Sequence, residues 1–218
     1  MRTARLLSAA YGALALVDTV LAGRPGGAAA RRVTKPLLMP TLAAGLLATR
    51  PGGEDVRATL VGEAFSWGGD VALLGKGRRP FLTGVASFFG AHVAYVVAFR
   101  ARSSVPLLGS PGRRRFLVAG GALATGMGLA AAREDRALGA PVAAYGATLA
   151  TMVAAAAAVD DDHGRDLTLA GAALFLLSDT LLGARTFLLA GRARALESAV
   201  MATYTAGQWC IAAGSAEG

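Results

Sequence analysis

One cysteine, two histidines, two lysines and an aromatic share of 6% are little for a chain of 218 residues. Cys210 alone excludes an intrachain disulfide and reads as a small core residue. No HExxH, GxSxG or P-loop occurs, so the sequence offers no motif for zinc-protease, serine-hydrolase or nucleotide chemistry. Asp160-Asp161-Asp162-His163 has metal-ligand residue types, but consecutive residues on one loop are ordinarily solvated charge, and a second ligand set is missing. No metal or cofactor is therefore expected. Long polar stretches are also lacking, which leaves no room for a soluble module between the apolar segments.

What fills the chain is apolar. The hydrophobic fraction is 54% and the mean hydropathy +0.50, with apolar runs separated by short arginine-bearing loops. That is the pattern of a polytopic membrane protein. Eight spans are expected, at 6–21, 33–49, 56–74, 81–99, 116–132, 140–159, 167–189 and 199–213. Most reach the roughly 17–25 residues a spanning helix needs. The fold class is an all-α membrane bundle forming one domain over 1–218. Met1-Arg2-Thr3-Ala4-Arg5, the apolar run after it and Ala28-Ala29-Ala30 mimic a signal peptide, but Asp18 within the run and the bundle that follows favour a retained helix.

The net charge of +8 does not indicate nucleic acid, because the basic residues are scattered over loops and more plausibly meet lipid phosphates. Arginine outnumbers lysine twenty to two, which, with abundant alanine, suggests a GC-rich bacterial genome and hence the bacterial cytoplasmic membrane. Eight spans divide the loops between side A, with the N-terminus, and side B. Side A carries ten basic residues and side B the other twelve of twenty-two, so charge bias leaves the orientation open. The oligomeric state is open too. Gly120, Gly121, Gly126 and Gly128 on the fifth span could form a dimer face, although intramolecular packing is the commoner use of small residues.

Seven ionisable residues lie in or beside these spans: Asp18, Lys35, Glu63, Asp70, His92, Asp179 and Arg185. Each is costly in lipid and so a functional candidate. Asp18, Lys35, Asp70, Tyr145, Asp179 and Tyr204 come from six spans and share the side-B leaflet, which implies a common cavity. Asp18 pairs with Lys35 or Arg31 on this reading, in a structural role. Glu63, Ser66 and Asp70 are spaced by three and four, one stripe of a helix, with Glu63 roughly 10 Å deeper than Asp70. Phe88, His92 and Tyr95 share a face of the fourth span, and Tyr204 and Gln208 a face of the eighth. Asp70-Val71-Ala72-Leu73-Leu74-Gly75 is echoed by Asp179-Thr180-Leu181-Leu182-Gly183 four spans later, as in two four-helix halves related by an axis along the membrane normal.

Five segments resemble, in order and spacing, the YhhN family of eight-span membrane proteins: TKPLLMP at 34–40, EAFSWGGDVALL at 63–74, FLTGVASFFGAHVAY at 81–95, GAALFLLSDTLLG at 171–183 and YTAGQWCI at 204–211. The resemblance implies a lysoplasmalogenase, cleaving the vinyl-ether bond of a lysoplasmalogen to a fatty aldehyde and a glycerophospho-alcohol. It carries catalytic roles onto Asp70 and Asp179 and functional roles onto Lys35, His92 and Tyr95. Glu63, Ser66, Tyr145, Tyr204 and Gln208 are expected to line the substrate pocket. Two carboxyls suit the chemistry, since one can protonate carbon while the other activates water, as in glycoside hydrolysis. Lys35 would hold the ionised aspartate or bind the lipid phosphate. The expected partners are thus a lysophospholipid and the surrounding lipid. The alternative is a small transporter or proton-coupled carrier using the same carboxylates, against which stands their clustering in one leaflet.

Overall fold

The computed structural model describes residues 2–50, 52–187 and 193–217, without the side chains of 186, 187 and 193–195. These residues form eight helices: α1 (Arg2–Gly23), α2 (Ala28–Thr49), α3 (Glu54–Ala72), α4 (Arg78–Ala101), α5 (Pro111–Glu134), α6 (Arg136–Ala156), α7 (Arg165–Phe187) and α8 (Ala193–Glu217). Residues 188 and 189 of the seventh expected span lie outside the described residues.

Five helices, α1, α4, α5, α6 and α7, are long and apolar enough to cross a membrane. The other three are broken by polar residues, among them Arg31, Arg32 and Lys35 in α2, Glu54, Asp55, Arg57, Glu63 and Asp70 in α3, and Glu197, Thr203, Tyr204, Thr205 and Gln208 in α8. Polarity runs inside out. Asp18, Glu63, Asp70, His92 and Gln208 are buried, while Leu16, Leu37, Val118 and Leu129 face outward. Water would reverse that order; lipid favours it.

Each predicted span coincides with a helix, but the helices begin and end up to six residues away from it. Hydropathy stops at a charge, whereas backbone hydrogen bonding continues through it. α2 begins at Ala28 rather than 33, so Lys35 lies two turns inside the helix instead of at its start. α3 ends at Ala72, which places Asp70 two residues from its terminus. Tyr204, its bonding partner, lies eleven residues into α8. At 1.5 Å per residue, α8 therefore overhangs α3 on side B by roughly 13 Å.

Consecutive helices pack as antiparallel pairs, and α8 also closes against α1. Two glycines seven residues apart on α3 receive two rings seven residues apart on α4: Gly62 faces Tyr95, and a Cβ on Gly69 would stand 2.5 Å from the Phe88 ring. Gly77, at φ 95°, lets the chain reverse between them. On α5, Gly120 and Gly128 press against Ala150 and Ala143 of α6, whereas nothing lies near Gly121 or Gly126. Close packing within the chain thus accounts for two of the four glycines.

α2 contains two prolines, each of which removes one helical donor. Pro40 leaves the carbonyl of Pro36 without its usual partner, and the Trp67 indole of α3 donates to it at 3.0 Å. The bond fixes α2 against α3 between Lys35 and Asp70. Trp67→Phe keeps the ring and strands the carbonyl in an apolar setting, where an unsatisfied polar group costs about 1–3 kcal/mol. A lowered thermal midpoint in detergent is the expected result; an unchanged one would mean that the carbonyl finds another donor.

Candidate active site

Asp70 is 1% exposed. Lys35 Nζ of α2 lies 3.2 Å from its Oδ1, and the Tyr204 hydroxyl of α8 donates to its Oδ2 at 2.8 Å. A cation on one oxygen and a hydrogen bond on the other both favour an ionised carboxylate. Asp179 is held differently. The Tyr145 hydroxyl of α6 donates to its Oδ2 at 2.5 Å, and His92 Nε2 of α4 stands 3.6 Å from the same oxygen, beyond hydrogen-bond reach. Among the described residues no lysine or arginine pairs with Asp179.

The two arrangements correspond. Each aspartate takes one partner from the helix before its own and one from the last helix of the other half of the chain: α2 and α8 for Asp70, α6 and α4 for Asp179. Lys35 lies 35 residues before Asp70, and Tyr145 lies 34 before Asp179. This is the pairing that two four-helix halves with exchanged contacts would give, in line with the Asp70 and Asp179 sequence echo.

Aromatic rings fill the space between the carboxyls. Phe175 meets His92, Tyr204 and Phe88 edge-on at 4.8, 5.4 and 6.2 Å between centroids, and His92 meets Tyr145 at 5.0 Å. Below them lies a second layer, in which the Tyr95 hydroxyl donates to Gln208 Oε1 at 2.6 Å and Gln208 Nε2 donates to Ser66 Oγ at 2.9 Å. Glu63, also buried, is on the same stripe but has no hydrogen-bond partner for either oxygen among the described residues.

A groove of about 280 Å³ opens beside Asp179. Phe81, Val85 and Phe88 of α4, Phe116, Leu123 and Met127 of α5, Val142 and Leu149 of α6 and Leu176 of α7 line it; Asp179 and Tyr145 supply its polar wall. Such a slot suits a hydrocarbon chain whose polar end stops at Asp179.

The expected single cavity of six polar groups divides in three. Lys35, Asp70 and Tyr204 form one cluster, and Tyr145, His92 and Asp179 another. Asp18 belongs to neither: fully buried, it accepts from Thr34 Oγ1 at 2.6 Å and from Arg31 Nε at 3.3 Å, the second of its two expected partners. Ser66, Tyr95 and Gln208 meet in the deeper layer, with Glu63 beside them on α3. Sequence reasoning overlooked Phe175, although its place four residues before Asp179 puts it on the same helix face. On side A, Asp160 accepts from the amide and hydroxyl of Ser104, and Asp161 pairs with Arg165.

A family model described as the YhhN family matches residues 30–215, covering every residue of both aspartate clusters. No curated protein and no solved structure matches the chain.

Proposed function

We propose, from the premise that the chain belongs to the YhhN family, that it is a lysoplasmalogenase-type hydrolase working on a vinyl-ether lysolipid within the membrane. The observation that carries this reading is the pair of aspartates with unlike partners, Asp70 buried and Asp179 at the mouth of an apolar groove. All eight helices cross the bilayer on this view, with Arg31 and Lys35 of α2 and Asp55, Glu63 and Asp70 of α3 turned inward. The membrane is the bacterial cytoplasmic one.

The chemistry needs a proton at carbon and then water. Asp179 is the acid: it lies beside the groove and, among the described residues, has no lysine or arginine to hold it ionised. Its proton passes to the vinyl carbon β to the ether oxygen, and the double-bond electrons form the new C–H bond. The oxygen lone pair stabilises the resulting oxocarbenium ion. Asp70, kept ionised by Lys35 and Tyr204 on the far side of the Phe175 ring, is the counter-charge to that cation and takes a proton from the attacking water. The hemiacetal then collapses to a fatty aldehyde and the free hydroxyl of the glycerophospho-alcohol, the hemiacetal hydroxyl proton passing to Asp179 and the proton on Asp70 to the departing oxygen, which resets both carboxyls and consumes one water overall. His92, edge-on to Tyr145 and close to Asp179, orients the acid. Glu63, Ser66, Tyr95 and Gln208 close the floor of the site.

Purified protein in detergent is expected to release fatty aldehyde and glycerophosphoethanolamine from lysoplasmenylethanolamine, and nothing from the 1-acyl lysolipid of equal chain length. Release of fatty acid from the acyl lipid, or no turnover by well-folded protein, would overturn the assignment.

A further inference from the structure

Outside the two aspartate clusters, Glu197 of α8 gathers a further charged network. It lies at the side-B rim, where α8 overhangs α3. Glu197, in the second turn of α8, is clamped between two guanidiniums: Arg31 Nη1 is 2.9 Å from its Oε1 and Arg185 Nη1 is 2.6 Å from its Oε2. Arg31 is itself fixed from the other side. Its Nε lies 3.3 Å from each oxygen of Asp18 and its Nη2 3.2 Å from Oδ2. Asp18 therefore neutralises Arg31 and aims the remaining Nη1 at Glu197.

We propose that Arg31, Arg185 and Glu197 form the seat of a zwitterionic phosphodiester headgroup, the guanidiniums taking the phosphate and Glu197 the ammonium; this rests on the lysolipid reading above. Two adjacent oxygens sharing one negative charge already occupy the position between the arginines, and a phosphate presents the same pair. The carboxylate is exchangeable. The side chains of Glu197 and Arg185 are 33% and 25% exposed, and ion pairs so open to solvent hold their partners weakly. Asp18 is 0% exposed and stays in place.

Charge decides which headgroup fits. The four side chains sum to zero, two acidic and two basic. A bare phosphate would displace Glu197 and leave its charge without a partner, whereas a headgroup with an ammonium replaces each lost contact. Distance agrees as well. Arg31 precedes Lys35 by four residues on α2, so the seat lies roughly 6 Å outward from the Lys35–Asp70 pair. Five bonds separate the ether oxygen at the first glycerol carbon from the phosphorus on the third, about 6 Å when extended.

The test uses the full chain in nanodiscs of neutral lipid and four uncleavable 1-O-alkyl probes, with phosphoethanolamine, phosphocholine, plain phosphate or no headgroup. Affinity is read from the ligand-induced shift in thermal midpoint. Wild type is expected to prefer the two zwitterions over plain phosphate. Arg185→Gln weakens the phosphate-bearing probes about tenfold, the loss of one charge-assisted hydrogen bond, and leaves the alkylglycerol unchanged. Glu197→Gln narrows the gap between the zwitterions and plain phosphate to about twofold. If both variants bind all four probes as wild type does, the network is only a tie between helices and the seat is wrong. Equal stabilisation by free glycerophosphoethanolamine would assign the seat to a soluble phosphodiester and overturn the lipid headgroup. The probes are not hydrolysed, so these outcomes stand apart from catalysis; failure of every probe, the alkylglycerol included, would instead count against the lysolipid reading itself.

Discussion

Asp179→Asn is expected to lower the rate of aldehyde release by about 100-fold to 10,000-fold, the range that a positioned general acid contributes. The two side chains have the same shape, and the Tyr145 hydroxyl that donates to Asp179 can donate equally to the amide oxygen. The variant should therefore fold, pack and bind substrate much as wild type does. What it lacks is an acidic proton beside the groove. Single-turnover kinetics with a saturating vinyl-ether lysolipid, together with the thermal midpoint of the same preparation, separate the two effects. A rate within tenfold of wild type would move the acid elsewhere, first to His92, 3.6 Å from Asp179.

Lys35→Met is expected to destabilise the protein by about 3–5 kcal/mol, because it leaves the Asp70 carboxylate buried without its cation. Methionine keeps most of the length of the stem, so packing changes little. The Tyr204 hydroxyl remains but supplies no charge. Replacing both partners removes the stranded ion: Lys35→Met with Asp70→Asn should recover much of the loss, although activity stays absent. Unfolding in detergent for wild type, both single variants and the double variant gives the coupling energy directly. A single variant as stable as wild type would show that Asp70 is not ionised in its pair, and the base would have to be sought elsewhere.

The helices were legible because lipid and interior both select apolar residues, and a run of them is a local property of the chain. Their ends were not. Arg31 stops a hydropathy window, yet α2 continues through it because Asp18 and Glu197 neutralise it inside the bundle. The stripe of Glu63, Ser66 and Asp70 could be read from spacing alone, since 3.6 residues per turn places them on one face. Partnership across helices could not. Lys35 and Arg31 stand one turn apart on α2 and either could reach a side-B aspartate; helix packing sends Lys35 to Asp70 and Arg31 to Asp18. The division of six polar groups between clusters arises in the same way, from rings such as Phe175 that occupy the space between the two carboxyls. Glu197 escaped notice because it lies just outside the apolar run of its span.

The most direct measurement is hydrolysis of lysoplasmenylethanolamine by wild-type protein in D2O, with the aldehyde reduced as it forms and analysed by mass. Protonation at carbon by an exchangeable acid predicts one deuterium on the carbon next to the aldehyde in every product molecule. Aldehyde without that label, or a product other than the aldehyde, would contradict acid catalysis at the vinyl carbon.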